Sequence, residues 1–322
     1  MTFPISTRLA AGPAAGHPTS TSARILRPTR RLLAFGVLLA LLGVVVPDSG
    51  REPARIALLK LDEVHGVDAA DHTVWILALG SDARPGQSFL GSRSDAIQLV
   101  GINTVNGHAV TIGIPRDSWV DIPGFGNDKI NAAMVYGGPQ LTARAVANLV
   151  GITPDYVFVT SFRGVIAMAH AIGGITVRVR WDVTTNLRHY RPGQRHLNGL
   201  EVLDFARVRH GLPGGDFDRS LDQSSVLRGG LRQLIDRVKR QGRFESALYS
   251  FMRNVETDLS IGEIYRLARA VLQINPAKVR QCVVPGGVGF EGTASVVFPD
   301  VAGARALAAR VRSDATLHGA CF

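Results

Sequence analysis

Six arginines crowd a few aspartates in two stretches of this 322-residue chain. The first stretch holds Gly80-Ser81-Asp82-Ala83-Arg84, then Ser92-Arg93-Ser94-Asp95 and Pro115-Arg116-Asp117. The second holds Phe205-Ala206-Arg207-Val208-Arg209, then Asp216-Phe217-Asp218-Arg219 and Gln223. A guanidinium presents a planar fork of donors that matches phosphate oxygens and stays charged at any biological pH. Two aspartates set among such forks suit a hard divalent cation with phosphate on its open side. The pattern predicts a site for a multiply charged phosphate, most simply a pyrophosphate.

Hydrophobic periodicity supplies the elements that must position these groups. Apolar runs at Thr73–Leu79, Ala96–Ile102 and His108–Ile114 predict three strands, the last two joined through Asn106-Gly107. Next come a helix opening at Pro139 and ending before Gly151, a strand at Tyr156–Thr160, a helix over Val165–Ile172 and a strand at Ile175–Val179. Leu227, Leu231, Leu234 and Val238 form one stripe of a long helix predicted over Ser220–Arg240. Further helices are predicted at Leu259–Ile274 and Val301–Val311, with a strand at Val279–Val284 between them. The alternation implies an α/β fold, a layered αβα sandwich around a mixed central sheet. The charged motifs then fall at strand ends and a helix start, where open α/β sheets hold ligands. Arg219 and Gln223, one turn apart, can face one cavity from a helix N-terminus that favours anions.

Composition bounds the partners. With 46% hydrophobic and 19% charged residues the chain can bury a sizeable core and is too apolar to stay unfolded. The net charge of +10 is not a nucleic-acid signature, because residues 1–47 carry five arginines, Arg8, Arg24, Arg27, Arg30 and Arg31, and no acid. No zinc-finger spacing, helix-turn-helix signature or basic stripe with interleaved aromatics appears. Residues 1–31 are expected to be a disordered cytoplasmic tail. The apolar run Leu32–Val46, closed by Pro47, is expected to be a signal-anchor over residues 32–47. Fifteen helical residues reach roughly 22 Å against a ~30 Å hydrocarbon core, so a cleaved signal peptide is the alternative. Positive charge ahead of the run places the N-terminus in the cytoplasm and the rest outside. Residues 48–72 read as a polar linker and residues 73–322 as the extracytoplasmic domain. The two cysteines, Cys282 and Cys321, are a disulfide candidate in an exported protein, with two buried free thiols as the alternative.

The motifs together resemble the LytR-CpsA-Psr family of cell-envelope phosphotransferases. The resemblance runs over residues 73–240, about half the chain. It rests on Ile76-Leu77-Ala78-Leu79-Gly80-Ser81-Asp82-Ala83-Arg84, Ser94-Asp95-Ala96-Ile97 and Ile114-Pro115-Arg116-Asp117-Ser118-Trp119-Val120. Lys129-Ile130-Asn131-Ala132-Ala133, Gly137-Gly138, Gly173-Gly174-Ile175, Leu197-Asn198-Gly199, Arg207-Val208-Arg209 and Asp216-Phe217-Asp218-Arg219 continue it in order. The resemblance implies Mg2+-dependent transfer of a glycopolymer phosphate from a polyprenyl-pyrophosphate carrier onto peptidoglycan, at the cell membrane. Carried over, Asp82 and Asp95 would hold the magnesium. Arg84, Arg93, Arg116, Arg207, Arg209, Arg219 and Gln223 would bind the pyrophosphate. Arg116 and Asp117 would serve catalysis, Asp117 either by orienting Arg116 or by activating the acceptor. Lys129 and Asn131 are expected to cap and pack the helix they begin, outside the chemistry.

Two positions depart from the family pattern. Gly113 stands where serine often precedes Ile-Pro-Arg-Asp, and Asp222 stands where many members carry arginine before the glutamine. Asp222 can pair with Arg219, three residues earlier, and draw it from phosphate; the alternatives are that it positions the acceptor hydroxyl or is a solvated surface residue. A lipid tail would need an apolar channel, which the helices over Val165–Ile172 and Leu227–Val238 could wall unless they are plain core. Three activities remain open: the transferase, a hydrolase using water on the same intermediate, and a non-catalytic binder of polyprenyl-linked phosphates.

Overall fold

The computed structural model describes residues 56–61, 72–84, 87–241, 248, 251–252 and 255–321. The expected tail and membrane anchor lie outside them. Among the described residues no helix is long and apolar enough to cross a membrane.

The central sheet has seven strands: β1 (Ile56–Lys60), β2 (Thr73–Ser81), β3 (Ser94–Asn103), β4 (Ala109–Gly113), β5 (Tyr156–Ser161), β6 (Val255–Thr257) and β7 (Val279–Val283). Their spatial order is β6-β1-β5-β2-β3-β4-β7. The pairs β6·β1, β5·β2 and β4·β7 are parallel, whereas β1·β5, β2·β3 and β3·β4 are antiparallel, so the sheet is mixed as expected. Among the described residues the α-helices are α1 (Ala133–Val150), α2 (Phe162–Ala171), α3 (Gly199–Arg207), α4 (Asp216–Gln241), α5 (Ile261–Gln273) and α6 (Val301–Val311).

Alternation along the strands sends side chains to two different cores. Leu77, Leu79, Leu99, Ile112 and Val157 pack with Leu141 and Leu149 of α1 and Leu307 and Val311 of α6. On the other face Leu58, Val74 and Tyr156 meet Ile264 and Leu267 of α5, while Ile102 and Val279 pack with Leu231 of α4. Helices therefore cover both faces of the sheet. Two stripes expected to wall a lipid channel are partly accounted for here. Val165 and Ile172 pack on a satellite core with Val177, Tyr190 and Phe205, and Leu231 serves the second main core.

One boundary is corrected. Ile56–Lys60 was expected to be linker, yet it forms β1, paired along its whole length with β5. Five residues give too short a run to separate a strand from a linker by periodicity, and only the partner strand decides it. Helix α1 agrees with expectation in an instructive way. Its regular part starts at Pro139, because Gly137 (φ −154°) and Gly138 (φ 66°) interrupt the turn before it, and Gly151 (φ 84°) closes it.

Cys282 of β7 and Cys321 form a disulfide across 39 residues of sequence. Closing a loop of that length removes chain entropy from the unfolded state, so Cys321→Ser should lower stability by about 3–4 kcal/mol. The denaturation midpoint, compared with and without reductant, measures this. Equal midpoints for the variant and the oxidised parent would show that the bond does not constrain the unfolded chain.

Candidate functional site

Strands β2 and β3 deliver the carboxylates. Their register shifts at Gly80 and Ser81, a bulge that bends the strand ends and re-aims the residues beyond them. Asp82 then donates its backbone N–H to the carbonyl of Arg93 at 3.0 Å, which brings Asp82 and Asp95 to one side. Helix α3 is set by a capping box, Asn198 accepting from the Glu201 amide and Glu201 accepting from the Asn198 amide. The end of this helix carries Arg207, with Arg209 just beyond. Helix α4 begins at Asp216 and presents Arg219 and Gln223 from its first turns.

These elements enclose a cavity of ≈240 Å³ lined by Asp82, Arg84, Asp95, Arg116, Ala206, Arg207, Arg209, Arg219 and Gln223. Eight of the residues singled out in the sequence meet there. Arg93 does not line the cavity; it stands exposed at the rim, and its charge acts on Asp82. The guanidinium of Arg207 rests over the ring of Phe162, 4.5 Å from its centroid.

Charge is tightly balanced. Arg116 forms an ion pair with Asp95. Burial pulls the Arg116 pKa down, but Asp95 and then Asp117 outweigh it and hold the guanidinium above its ordinary value. The Asp82 carboxyl is pushed up, first by burial and then by the like charge of Asp95, while Arg116, Arg84 and Arg93 oppose the shift. Two carboxylates that crowd each other in one cavity gain from a cation between them. No cluster of three or more His, Cys, Asp or Glu is positioned to hold a metal among the described residues. Two carboxylates suit magnesium, which keeps several waters and takes phosphate oxygens for its remaining ligands.

Asp117 lies just behind the cavity, engaged by Arg209 Nη2 at 3.3 Å, Lys129 Nζ at 3.4 Å and Arg116 Nε at 3.9 Å. Lys129 was expected to cap a helix. It makes no side-chain cap, and its ammonium reaches Asp117 instead. The hairpin of residues 119–122 and 126–129 explains why, since it pairs Trp119 with Lys129 and returns the lysine beside Asp117. The turn Pro123-Gly124-Phe125-Gly126 between two short runs was the available signal for that hairpin.

Gln223 lines the cavity and also ties neighbouring elements together. Its amide nitrogen donates to the backbone carbonyls of Asp95 and Ala206, both at 3.2 Å, tying β3 and α3 to α4. Both amide protons are used by these bonds, so Gln223 positions its neighbours.

The pairing of Asp222 with Arg219 does not occur. Arg219 pairs with Asp216, and Arg180 Nη2 donates to Asp222 Oδ1 at 2.7 Å. Helical side chains lean toward the N-terminus, so Arg219 reaches back to Asp216 and away from Asp222. Asp216, which received no role from the sequence, is the charge partner inside the site. Burial raises the Asp216 pKa against the pull of Arg219, and burial likewise lowers that of Arg219 against the pull of Asp216. Asp222 lines a separate small crevice with Val179, Trp181, Tyr190 and Leu212.

Burial raises the Asp222 carboxyl to about 6, with Arg180 opposing the shift. A raised carboxyl contributes stability that is fully present below its unfolded value near 4 and is lost as pH rises through about 6. Against Asp222→Asn, the parent should therefore lose stability between pH 4 and 6, by an amount on the order of 2 kcal/mol. Chemical denaturation of both proteins across that range measures it. A constant difference would place the carboxyl in an ordinary solvated setting.

Known proteins give the comparison. Teichoic acid transferase TagU of Bacillus anthracis, named as a polyisoprenyl-teichoic acid–peptidoglycan transferase, is 30% identical over 197 residues, 61% of this chain and 64% of TagU. Regulatory protein MsrR of Staphylococcus aureus is 34% identical over 182 residues, 55% of this chain and 54% of MsrR. The chain therefore spans less than two thirds of the length of these relatives. The crystal structure of Bacillus subtilis TagV superposes with a TM-score of 0.62 at 26% identity, covering 77% of this chain and all of that one. YwtF (TagT), solved with bound octaprenyl pyrophosphate lipid, shares the fold with a TM-score of 0.57 at 21% identity, covering 77% of this chain and 93% of that one. Residues 52–310 match the LytR_cpsA_psr family, from the first sheet strand to the last helix, and the chain belongs to that family.

Proposed function

We propose that this protein transfers a glycopolymer phosphate from a polyprenyl-pyrophosphate carrier to a hydroxyl of peptidoglycan, with magnesium at Asp82 and Asp95. The observation that carries the reading is the single cavity in which these two carboxylates face Arg84, Arg116, Arg207, Arg209 and Arg219. The family membership and the transferase name of TagU support it.

In the reaction the acceptor oxygen bonds to the phosphorus bearing the glycan and the phosphoanhydride bond breaks. Polyprenyl phosphate leaves, and the hydroxyl proton passes to solvent. Negative charge grows on the leaving phosphate, and Arg207, Arg209 and Arg219, which line the cavity, would neutralise it. Arg116 holds Asp95 on one side and is itself steadied by Asp117, so the donor groups are preorganised before substrate arrives. Gln223 keeps β3 and α3 at fixed spacing. Magnesium, when bound at Asp82 and Asp95, would supply further charge neutralisation. Residues 32–47 are proposed to anchor the chain, with the catalytic domain outside the cytoplasm.

The test uses the full chain in detergent with a polyprenyl-pyrophosphate-linked glycan and soluble peptidoglycan strands. Glycan covalently joined to peptidoglycan through phosphate, with acceptor-dependent release of polyprenyl monophosphate, is the expected result. Release at the same rate without acceptor would make the protein a hydrolase. Binding with no release under either condition would make it a carrier-binding protein.

A further inference from the structure

Outside the phosphate cavity, the least explained surface lies on the hairpin after Asp117. Phe125 at its turn and Tyr136 beyond it stack with ring centroids 4.8 Å apart and planes 9° apart. Both remain open to solvent, Phe125 at 56% and Tyr136 at 43%, with Val135 at 48% beside them. The pair is held in place. Tyr136 donates its hydroxyl to Asp128 Oδ2 at 2.6 Å, and Gly137 and Gly138 break the helical turn immediately after the tyrosine. A side chain at Gly137 would collide with Leu141, its Cβ falling 2.8 Å from that residue. The glycines thus allow the sharp exit that leaves Val135 and Tyr136 outward.

Aromatic rings that serve only packing are normally buried, and an exposed, prearranged pair marks a binding surface. We infer that Phe125 and Tyr136 form a stacking platform for the pyranose rings of the acceptor glycan. The C–H face of a pyranose carries partial positive charge and lies against the negative face of an aromatic ring. Asp128 and the exposed Asn127 stand on the same hairpin as partners for sugar hydroxyls. The exposed Asn127 and the spare acceptor capacity of Asp128, whose carboxylate already takes the Tyr136 hydroxyl and the Lys129 amide, suit a neutral, hydroxyl-rich ligand better than the acyl chains of a bilayer.

Continuity with the site selects the acceptor over the donor glycan. Asp128, which holds Tyr136, is followed directly by Lys129, whose ammonium contacts Asp117. Both ends of the hairpin are thus tied to Asp117, by sequence through Ser118 and by contact through Lys129. A glycan seated on the platform would border the cavity beside Asp117 and beside Arg93, whose charge reaches both Tyr136 and Asp82. This inference rests on the transferase reading for its acceptor, and the platform itself can be tested without turnover.

Isothermal titration of the full chain in detergent with a soluble, uncrosslinked peptidoglycan glycan strand, and no donor present, is the first measurement. Phe125→Ala/Tyr136→Ala should weaken binding by about tenfold or more, and Phe125→Trp should restore it on the Tyr136 parent. Titration with the polyprenyl-pyrophosphate-linked glycan should give equal affinities for parent and double variant. In turnover, transfer at low acceptor should fall by about the same tenfold factor and recover at saturating acceptor. The platform is overturned if the parent binds no strand, if the double variant binds it equally, or if donor affinity falls with it. Loss of binding to phospholipid vesicles in the double variant, with strand binding intact, would make it a membrane contact and also overturn the inference. Failure of the transferase reading gives a different result: strand binding that depends on the rings, with no transfer by the parent.

Discussion

Asp95→Asn should lower magnesium-dependent cleavage of polyprenyl pyrophosphate by about 10²-fold or more and raise the magnesium concentration needed for half-maximal rate. The substitution keeps the size of the side chain and leaves the Asp95 carbonyl free to accept from Gln223, so the link between β3 and α4 survives. It removes one carboxylate of the pair and the ionic partner of Arg116. These two losses separate in a metal titration. A ligand loss shifts the magnesium dependence, whereas the loss of an ion pair lowers the rate at every magnesium concentration. An unchanged magnesium requirement in Asp95→Asn would overturn the metal assignment and leave Asp95 as the anchor of Arg116. The same titration on Asp82→Asn should show a similar shift, because neither carboxylate has a third acidic neighbour to replace it among the described residues.

Arg116→Lys should cost about 10²-fold in turnover although the charge is kept. The guanidinium contacts Asp95 through Nη1 and lies 3.9 Å from Asp117 through Nε, so one planar group serves two carboxylates at once. An ammonium on a flexible stem can satisfy one of them in a given geometry. The carboxylate left over would face its neighbours without compensation, and the pocket would lose the alignment that phosphoryl transfer depends on. Single-turnover kinetics at saturating donor are the measurement. A lysine variant with near-parental rates would mean that Arg116 supplies charge alone and that its fork plays no part. Arg84→Lys is the internal control. Arg84 is exposed at the cavity edge and has no such double contact, so its loss of rate should be small.

Much of the fold could be read along the chain, for reasons visible in particular elements. Strand Ile175–Val179 and helix Val301–Val311 were legible to the residue because alternation in one and a 3.6 period in the other were uninterrupted. The break before Pro139 was legible because proline and glycine restrict the backbone wherever they stand. Most residues that line the cavity were legible as well, since arginine and aspartate concentrate at strand ends and at a helix start. Chemical type and local geometry are properties of short segments, and short segments are what a sequence displays directly.

Pairing across distance was not legible. Ile56–Lys60 becomes a strand because β5 and β6, about a hundred and two hundred residues later in the chain, lie on either side of it. Asp222 could be matched by sequence with Arg219, but Arg180, from another part of the chain, is its partner, and Asp216 takes Arg219. Lys129 reaches Asp117 through a hairpin, and Gln223 bonds two backbone carbonyls that only the folded chain brings within 3.2 Å. The sequence by itself determined which groups carry charge, which segments form regular structure and which chemistry the site suits. Which cation meets which carboxylate, and which side chain positions another, was decided by the tertiary structure alone. An ion pair or hydrogen bond depends on a distance of a few ångströms, and that distance is set by the packing of the whole domain.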